Sequence, residues 1–189
     1  MNVPNILTVT RIVLAPVFLV FFTIEAIPYH YLWALIIYFV ASMTDFFDGR
    51  IARSKNLITN FGKFTDPLAD KMLTTASYIG LVMMGYCSFW VLFIILFREF
   101  GVSSIRLVAS SQGVVIPANM WGKVKTFSMM LFTGFVMLLL VLQQDFGVLS
   151  DAFPVHTISH VLMWITAVLT AVSGVTYVLE GAKVIDFSK

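Results

Sequence analysis

The chain has 189 residues, of which 59% are hydrophobic and only 12% charged, with a mean hydropathy of +0.93. Soluble domains carry roughly twice that share of charge, which argues against a soluble globular enzyme. A single cysteine, Cys87, excludes an intrachain disulfide and a multi-cysteine zinc centre, and a net charge of +2 carries no message until its placement is read.

Apolar runs divided by breakers predict six helices: Ile6–Ile27, Tyr31–Arg50, Phe64–Tyr86, Phe89–Val108, Val124–Gln143 and Thr157–Lys183. The first lacks a basic leader and a small-x-small cleavage site, so it is expected to be retained as a span. The connectors near Pro28–His30, Gly85–Ser88 and Gln144–His156 hold no lysine or arginine, and all twelve basic residues lie toward the opposite ends. The positive-inside rule makes that face cytoplasmic and puts both termini there. The expected fold is one all-α membrane domain over residues 1–189, with six transmembrane helices and a polar cavity open to the cytoplasmic side. The expected location is the cytoplasmic membrane, and no nucleic-acid partner is expected.

Between the second and third predicted helices lies MTDFFDGRIARSKNLITNFGKFTDPLADK, residues 43–71. Asp45 and Asp48 are three apart and Asp66 and Asp70 four apart, spacings that put each pair on one face of a helix. Gly49, Ala52 and Gly62 let a backbone or a ligand come close. A short linker predicts antiparallel neighbours whose four carboxylates converge. Four bare carboxylates repel in a low dielectric, so some are protonated or cations sit among them. Oxygen ligands without Cys or His suit magnesium or manganese, and a carboxylate-bridged pair of such ions serves displacement at phosphorus. Taken singly, Asp66 before Pro67 reads as a helix cap, and Asp48 as a partner of Arg50 or Arg53.

Arg98 and Glu99 interrupt the fourth predicted helix, too deep for a simple surface anchor. Arg106, Lys123 and Lys125 add cations beyond what orientation requires, as a phosphorylated acceptor would need. An inner-leaflet lipid anchor is the plainer reading of Lys123 and Lys125. His156 and His160, four apart, lack a nearby carboxylate or thiol at ligand spacing and read as interfacial. The other expected surroundings are membrane lipids.

The pattern Asp45-x2-Asp48-Gly49-x2-Ala52-Arg53-x8-Gly62-x3-Asp66-x3-Asp70 resembles the signature of the CDP-alcohol phosphatidyltransferases at every defining position. Asn5-x2-Thr8-x2-Arg11, Arg98-Glu99-Phe100 with Arg106, and Gly122-Lys123-x-Lys125-Thr126 resemble the bacterial branch that uses glycerol 3-phosphate as acceptor. The resemblance implies CDP-diacylglycerol as donor, a homodimer, and two divalent cations, Mg2+ or Mn2+, held by Asp45, Asp48, Asp66 and Asp70. It implies Asp70 as general base and a donor head-group site of Thr8, Arg11, Gly49, Ala52, Arg53, Thr59 and Gly62. The acceptor phosphate would then fall to Arg98, Arg106, Lys123 and Lys125. Inositol phosphate, serine or phosphatidylglycerol are the alternative acceptors within the same chemistry. A divalent-cation transporter is the alternative from another class; it predicts polar residues reaching the outer half of the helices, where the charges here stop short.

Overall fold

The computed structural model describes residues 3–54, 60–114, 116 and 120–183; the side chains of residues 3–4, 45–54, 60–64, 66–67 and 70 lie outside the description. Among the described residues six α-helices follow in order: α1 (Val3–Thr23), α2 (His30–Ser54), α3 (Asn60–Met83), α4 (Phe89–Ser111), α5 (Met120–Leu140) and α6 (Val155–Gly181). A π-helical turn, Val141–Asp145, extends α5. No strand occurs among the described residues. Each expected apolar run became one helix. α1 stops at Thr23, earlier than expected, and α2 and α3 extend further toward each other than their apolar content predicted.

The ends follow local chemistry. Ser88 caps α4 by accepting a hydrogen bond from the Trp90 N–H at 3.3 Å. Past α4, Gly113 takes a positive φ of 75°, and the Val114 N–H bonds back to the Ala109 carbonyl at 2.9 Å. The start of α2 is capped from a distance: the Asp145 carboxylate accepts the Leu32 N–H at 2.7 Å. The π turn carries Asp145 into this position, tying the C-terminal end of α5 to the N-terminal end of α2.

Packing divides the bundle into two groups. α1 lies against both α2 and α3, α6 lies against both α4 and α5, and α2–α5 and α3–α4 contacts join the groups. Among the described residues α2 and α3 touch little, so the expected antiparallel pair is organised chiefly through α1. Close approach allows this: an added Cβ at Gly80 of α3 would stand 2.7 Å from the Phe22 ring of α1. Phe22 stacks on Phe18 and meets the edge of Tyr31 on α2.

Polarity is distributed as lipid demands. α6 exposes Val161, Trp164, Ile165, Val168, Val172 and Val175, while it buries Ser159, Thr166, Thr170 and Ser173. Hydrocarbon is as good a solvent for valine as the bundle interior, so small polar residues turn inward where they pack closely and find partners. α1, α5 with its π turn, and α6 are each long and apolar enough to cross a bilayer, and α2 contributes a shorter apolar segment, His30–Thr44. The protein is an all-α integral membrane protein.

Candidate active site

The aspartates can be placed by helical register. The buried stripe of α2 runs through Tyr31, Ala34, Tyr38 and Ala41. Its alternating steps of three and four continue to positions 45, 48 and 52. On α3 the buried positions Gly80, Ser77 and Leu73 lead back by the same steps to 70 and 66. Asp45, Asp48, Gly49, Ala52 and Arg53 thus stand on the helical backbone of α2, and Gly62, Asp66 and Asp70 on that of α3. Their side chains are outside the described residues, and Thr59 is outside them altogether.

α1 supplies the level. Its buried stripe is apolar toward the C-terminal end, with Ala15, Phe18 and Phe22, and polar toward the N-terminal end, with Asn5, Thr8 and Arg11. Phe18 lies beside Tyr38 with ring centroids 6.0 Å apart, and Phe22 beside Tyr31 at 5.3 Å. Following these antiparallel contacts inward brings Arg11 and Thr8 level with residues 42–48 of α2. The Phe22–Gly80 contact sets the parallel register with α3 and puts Thr8 and Arg11 level with residues 66–69. Arg11 is 1% exposed and Thr8 wholly buried. A charged side chain that deep in a membrane bundle requires polar company.

The second cluster is described in atomic detail. Glu99 Oε1 on α4 accepts from Arg98 Nη1 at 3.1 Å and also pairs with Lys125 Nζ of α5. Arg98 Nη2 donates to Ser173 Oγ of α6 at 2.6 Å. Lys71 of α3, the residue after Asp70, reaches the Glu99 carbonyl at 3.4 Å and the Ser103 hydroxyl. Ser103 in turn donates to the Glu99 carbonyl at 2.7 Å. Side chains of four helices therefore meet here: Arg98 and Lys125 pair with the Glu99 carboxylate, Lys71 reaches its main-chain carbonyl, and Ser173 holds the arginine.

Sequence position explains each inward turn. Lys125 continues the buried α5 positions Met129, Thr133, Val136 and Leu140, whereas Lys123, two residues earlier, faces outward and is exposed. Arg98 lies over Gly174, where a Cβ would stand 3.0 Å from its Cγ. Two turns along α4, Arg106 donates from Nε to the Tyr177 hydroxyl at 2.6 Å, with its guanidinium 5.0 Å from that ring's centroid. Of the four cations expected at the acceptor phosphate, the structure joins Arg98 and Lys125 through Glu99. It leaves Arg106 on the adjoining turns of α4 and α6 and turns Lys123 away.

Cavities of about 620 and 530 Å³ open at the other end of the bundle, among the α1–α2, α3–α4 and α5–α6 connectors. Glu25, Tyr31, Tyr86 and Asp145 line the larger and Asp151 and His156 the smaller. No group of three or more His, Cys, Asp or Glu side chains arranged to hold a metal occurs among the described residues. His160 Nε2 instead lies 3.0 Å from the Gly85 carbonyl, and the His156 and His160 rings pack 4.5 Å apart.

The family model described as CDP-alcohol phosphatidyltransferase matches residues 1–172. The chain belongs to that family. It is 38% identical over 187 residues to the CDP-diacylglycerol–glycerol-3-phosphate 3-phosphatidyltransferase of Bacillus subtilis (strain 168), covering 93% of both chains. A protein of Mycobacterium tuberculosis (strain ATCC 25618 / H37Rv), described as a probable phosphatidylglycerophosphate synthase, is 38% identical over 191 residues, 96% of this chain and 82% of its own. The corresponding phosphatidyltransferase of Rickettsia bellii (strain RML369-C) is 37% identical over 176 residues, 93% of each. The protein is therefore a phosphatidyltransferase-family enzyme of the membrane. The sequence reading singled out Arg98 and Glu99 but not the pairing of Glu99 with Lys125, nor Lys71 and Ser103 beside it, Ser173 on Arg98 and Tyr177 on Arg106. Their signal was present in part: Glu99 adjoins Arg98, Lys71 adjoins Asp70, and Ser173 and Tyr177 stand one turn apart on α6.

Proposed function

We propose that this phosphatidyltransferase moves a phosphatidyl group from CDP-diacylglycerol to glycerol 3-phosphate, giving phosphatidylglycerol phosphate and CMP. The names of its relatives support both substrates. The observation that carries the acceptor is the partly buried cluster of Arg98, Lys125 and Lys71 around Glu99, whose Lys71 directly follows Asp70. Cations held that deep recognise an anion that leaves water to reach them, and a phosphomonoester is the form of acceptor that brings one.

Asp45, Asp48, Asp66 and Asp70 are the residues that would hold two divalent cations, Mg2+ or Mn2+. The donor set is all oxygen, and the registers of α2 and α3 carry these positions to the level of Thr8 and Arg11. Bound there, such ions draw charge from the diphosphate and stabilise departing CMP. Thr8, Arg11, Gly49, Ala52, Arg53, Thr59 and Gly62 form the donor head-group site. Asp70 accepts the proton of the acceptor hydroxyl, whose oxygen attacks the phosphorus bonded to diacylglycerol. The new O–P bond forms as the bridging P–O bond breaks, and its electron pair leaves with CMP. A carboxylate is a weak base, so positioning by Arg98, Lys125 and Arg106 supplies much of the remaining acceleration. The enzyme acts as a single domain with six spans, both termini in the cytoplasm, in the cytoplasmic membrane, and as a homodimer.

The test is CMP release by purified protein with CDP-diacylglycerol, magnesium, and glycerol 3-phosphate, inositol phosphate, serine or phosphatidylglycerol. Turnover is expected with glycerol 3-phosphate; release with another acceptor alone would overturn the assignment. Asp70→Asn should abolish turnover while donor binding stays measurable, and near-normal turnover would remove Asp70 as the base.

A further inference from the structure

We propose that Glu99 sets the acceptor specificity of this site: it is a resident anion that holds Arg98 and Lys125 ready and trims the site's charge to that of a phosphomonoester. The proposal rests on the acceptor reading above and extends it to a residue that repels the acceptor's phosphate.

The geometry is that of a place-holder. One oxygen of Glu99 lies between Arg98 Nη1, at 3.1 Å, and Lys125 Nζ, the notch an incoming phosphate oxygen would enter. Ser173 and Gly174 of α6 fix the arginine from the other side, by a hydrogen bond and by close packing against its stem. Arg98 Nε is buried and has no hydrogen-bond partner. The guanidinium therefore retains an unmet donor beside an anion it already holds, an arrangement that costs stability unless a ligand uses it. Lys125 is 5% exposed, so its charge favours an anion beside it, Glu99 in the free enzyme and the phosphate in the complex.

The charge balance then points to a class of acceptor. Among the described side chains that hydrogen-bond Glu99, Arg98 and Lys125 at its carboxylate and Lys71 at its main-chain carbonyl, three cations against one anion leave a formal surplus of two positive charges, with Arg106 held apart by Tyr177. A phosphomonoester carries about −1.5 to −2 near neutrality and cancels that surplus. A neutral polyol or zwitterionic amino acid leaves it uncancelled, and a phosphodiester cancels half. Without Glu99 the surplus is three, and the site would hold anions, product included, too tightly for turnover.

The experiment uses the full-length enzyme in detergent micelles and inorganic phosphate as the probe, read as inhibition of CMP release with glycerol 3-phosphate. Glu99→Gln should lower the inhibition constant of phosphate by about tenfold, as the loss of a nearby like charge predicts, and should lower kcat and the acceptor KM together. If Glu99 were only a strut between helices, the same change would loosen Arg98 and Lys125 and raise both the KM and the inhibition constant. That result overturns the proposal. A second comparison holds even if this variant folds poorly. Lys125→Met should weaken phosphate inhibition, and adding Glu99→Gln to it should strengthen inhibition again, because the pair is then removed together and the surplus returns to two. Failure of the second change to tighten inhibition also refutes the role. Wild-type enzyme that releases no CMP with glycerol 3-phosphate would instead overturn the function proposed above, and this inference with it.

Discussion

Replacing Gly174 with alanine tests the acceptor site without touching a charge. The added Cβ would stand 3.0 Å from Arg98 Cγ, where ordinary contact begins at 3.4 Å. The arginine stem must therefore retreat by about half an ångström, and its head is held between Ser173 and Glu99. Two effects on stability oppose each other: alanine gains about 1 kcal/mol of helix propensity over glycine, and overpacking costs about 1 kcal/mol or slightly more. The net change in Tm should stay within about 4 °C for a chain of this size. Function has no such compensation. If Arg98 orients the acceptor as proposed, a shift of this size should raise the glycerol 3-phosphate KM by about 3- to 10-fold, with the CDP-diacylglycerol KM nearly unchanged. Initial rates of CMP release over a matrix of both substrates, with a thermal melt of the same preparation, measure all three quantities. An unchanged acceptor KM in a normally folded variant, or equal shifts for both substrates, would refute the placement of Arg98 at the acceptor.

Arg106→Ala should raise the acceptor KM well above any change for the donor. Tyr177→Phe, which keeps the ring under the guanidinium but removes its hydroxyl partner, should give a smaller effect in the same direction. Asp145→Ala removes the anion that caps α2 from the outer connector. It should cost about 1–2 kcal/mol, seen as a lower Tm, with acceptor and donor KM unaltered at room temperature. Burial pushes the Cys87 thiol from its ordinary 9.0 up to about 12. Because the shift is upward, the thiolate at pH 8 is only about one in ten thousand, so iodoacetamide should label native protein very slowly and unfolded protein readily. Rapid native labelling near neutral pH would contradict the buried connector.

Much of this protein was legible in its residues taken in order. The helices follow the apolar runs, three of them long and apolar enough to cross a bilayer among the described residues, and the connectors Pro28–His30, Gly85–Ser88 and Gln144–His156 hold no lysine or arginine. The acidic residues, with their spacing of three and four and their intervening glycines, carry the resemblance to the family that the chain belongs to. Local rules reach this far because lipid imposes the same requirement on every turn of every helix.

Which cation meets which carboxylate depended on tertiary packing. Arg98, Arg106, Lys123 and Lys125 look alike in the sequence, yet Lys125 is buried against Glu99 and Lys123 is exposed, a difference of two residues and about 200° around α5. α1 lies against both α2 and α3, and the steric gap at Gly80 admits Phe22 and so sets the level of Arg11 and Thr8. These choices depend on the shapes and charges of several helices at once. Periodicity along one helix specifies its inward face, and only the assembled bundle specifies what that face meets.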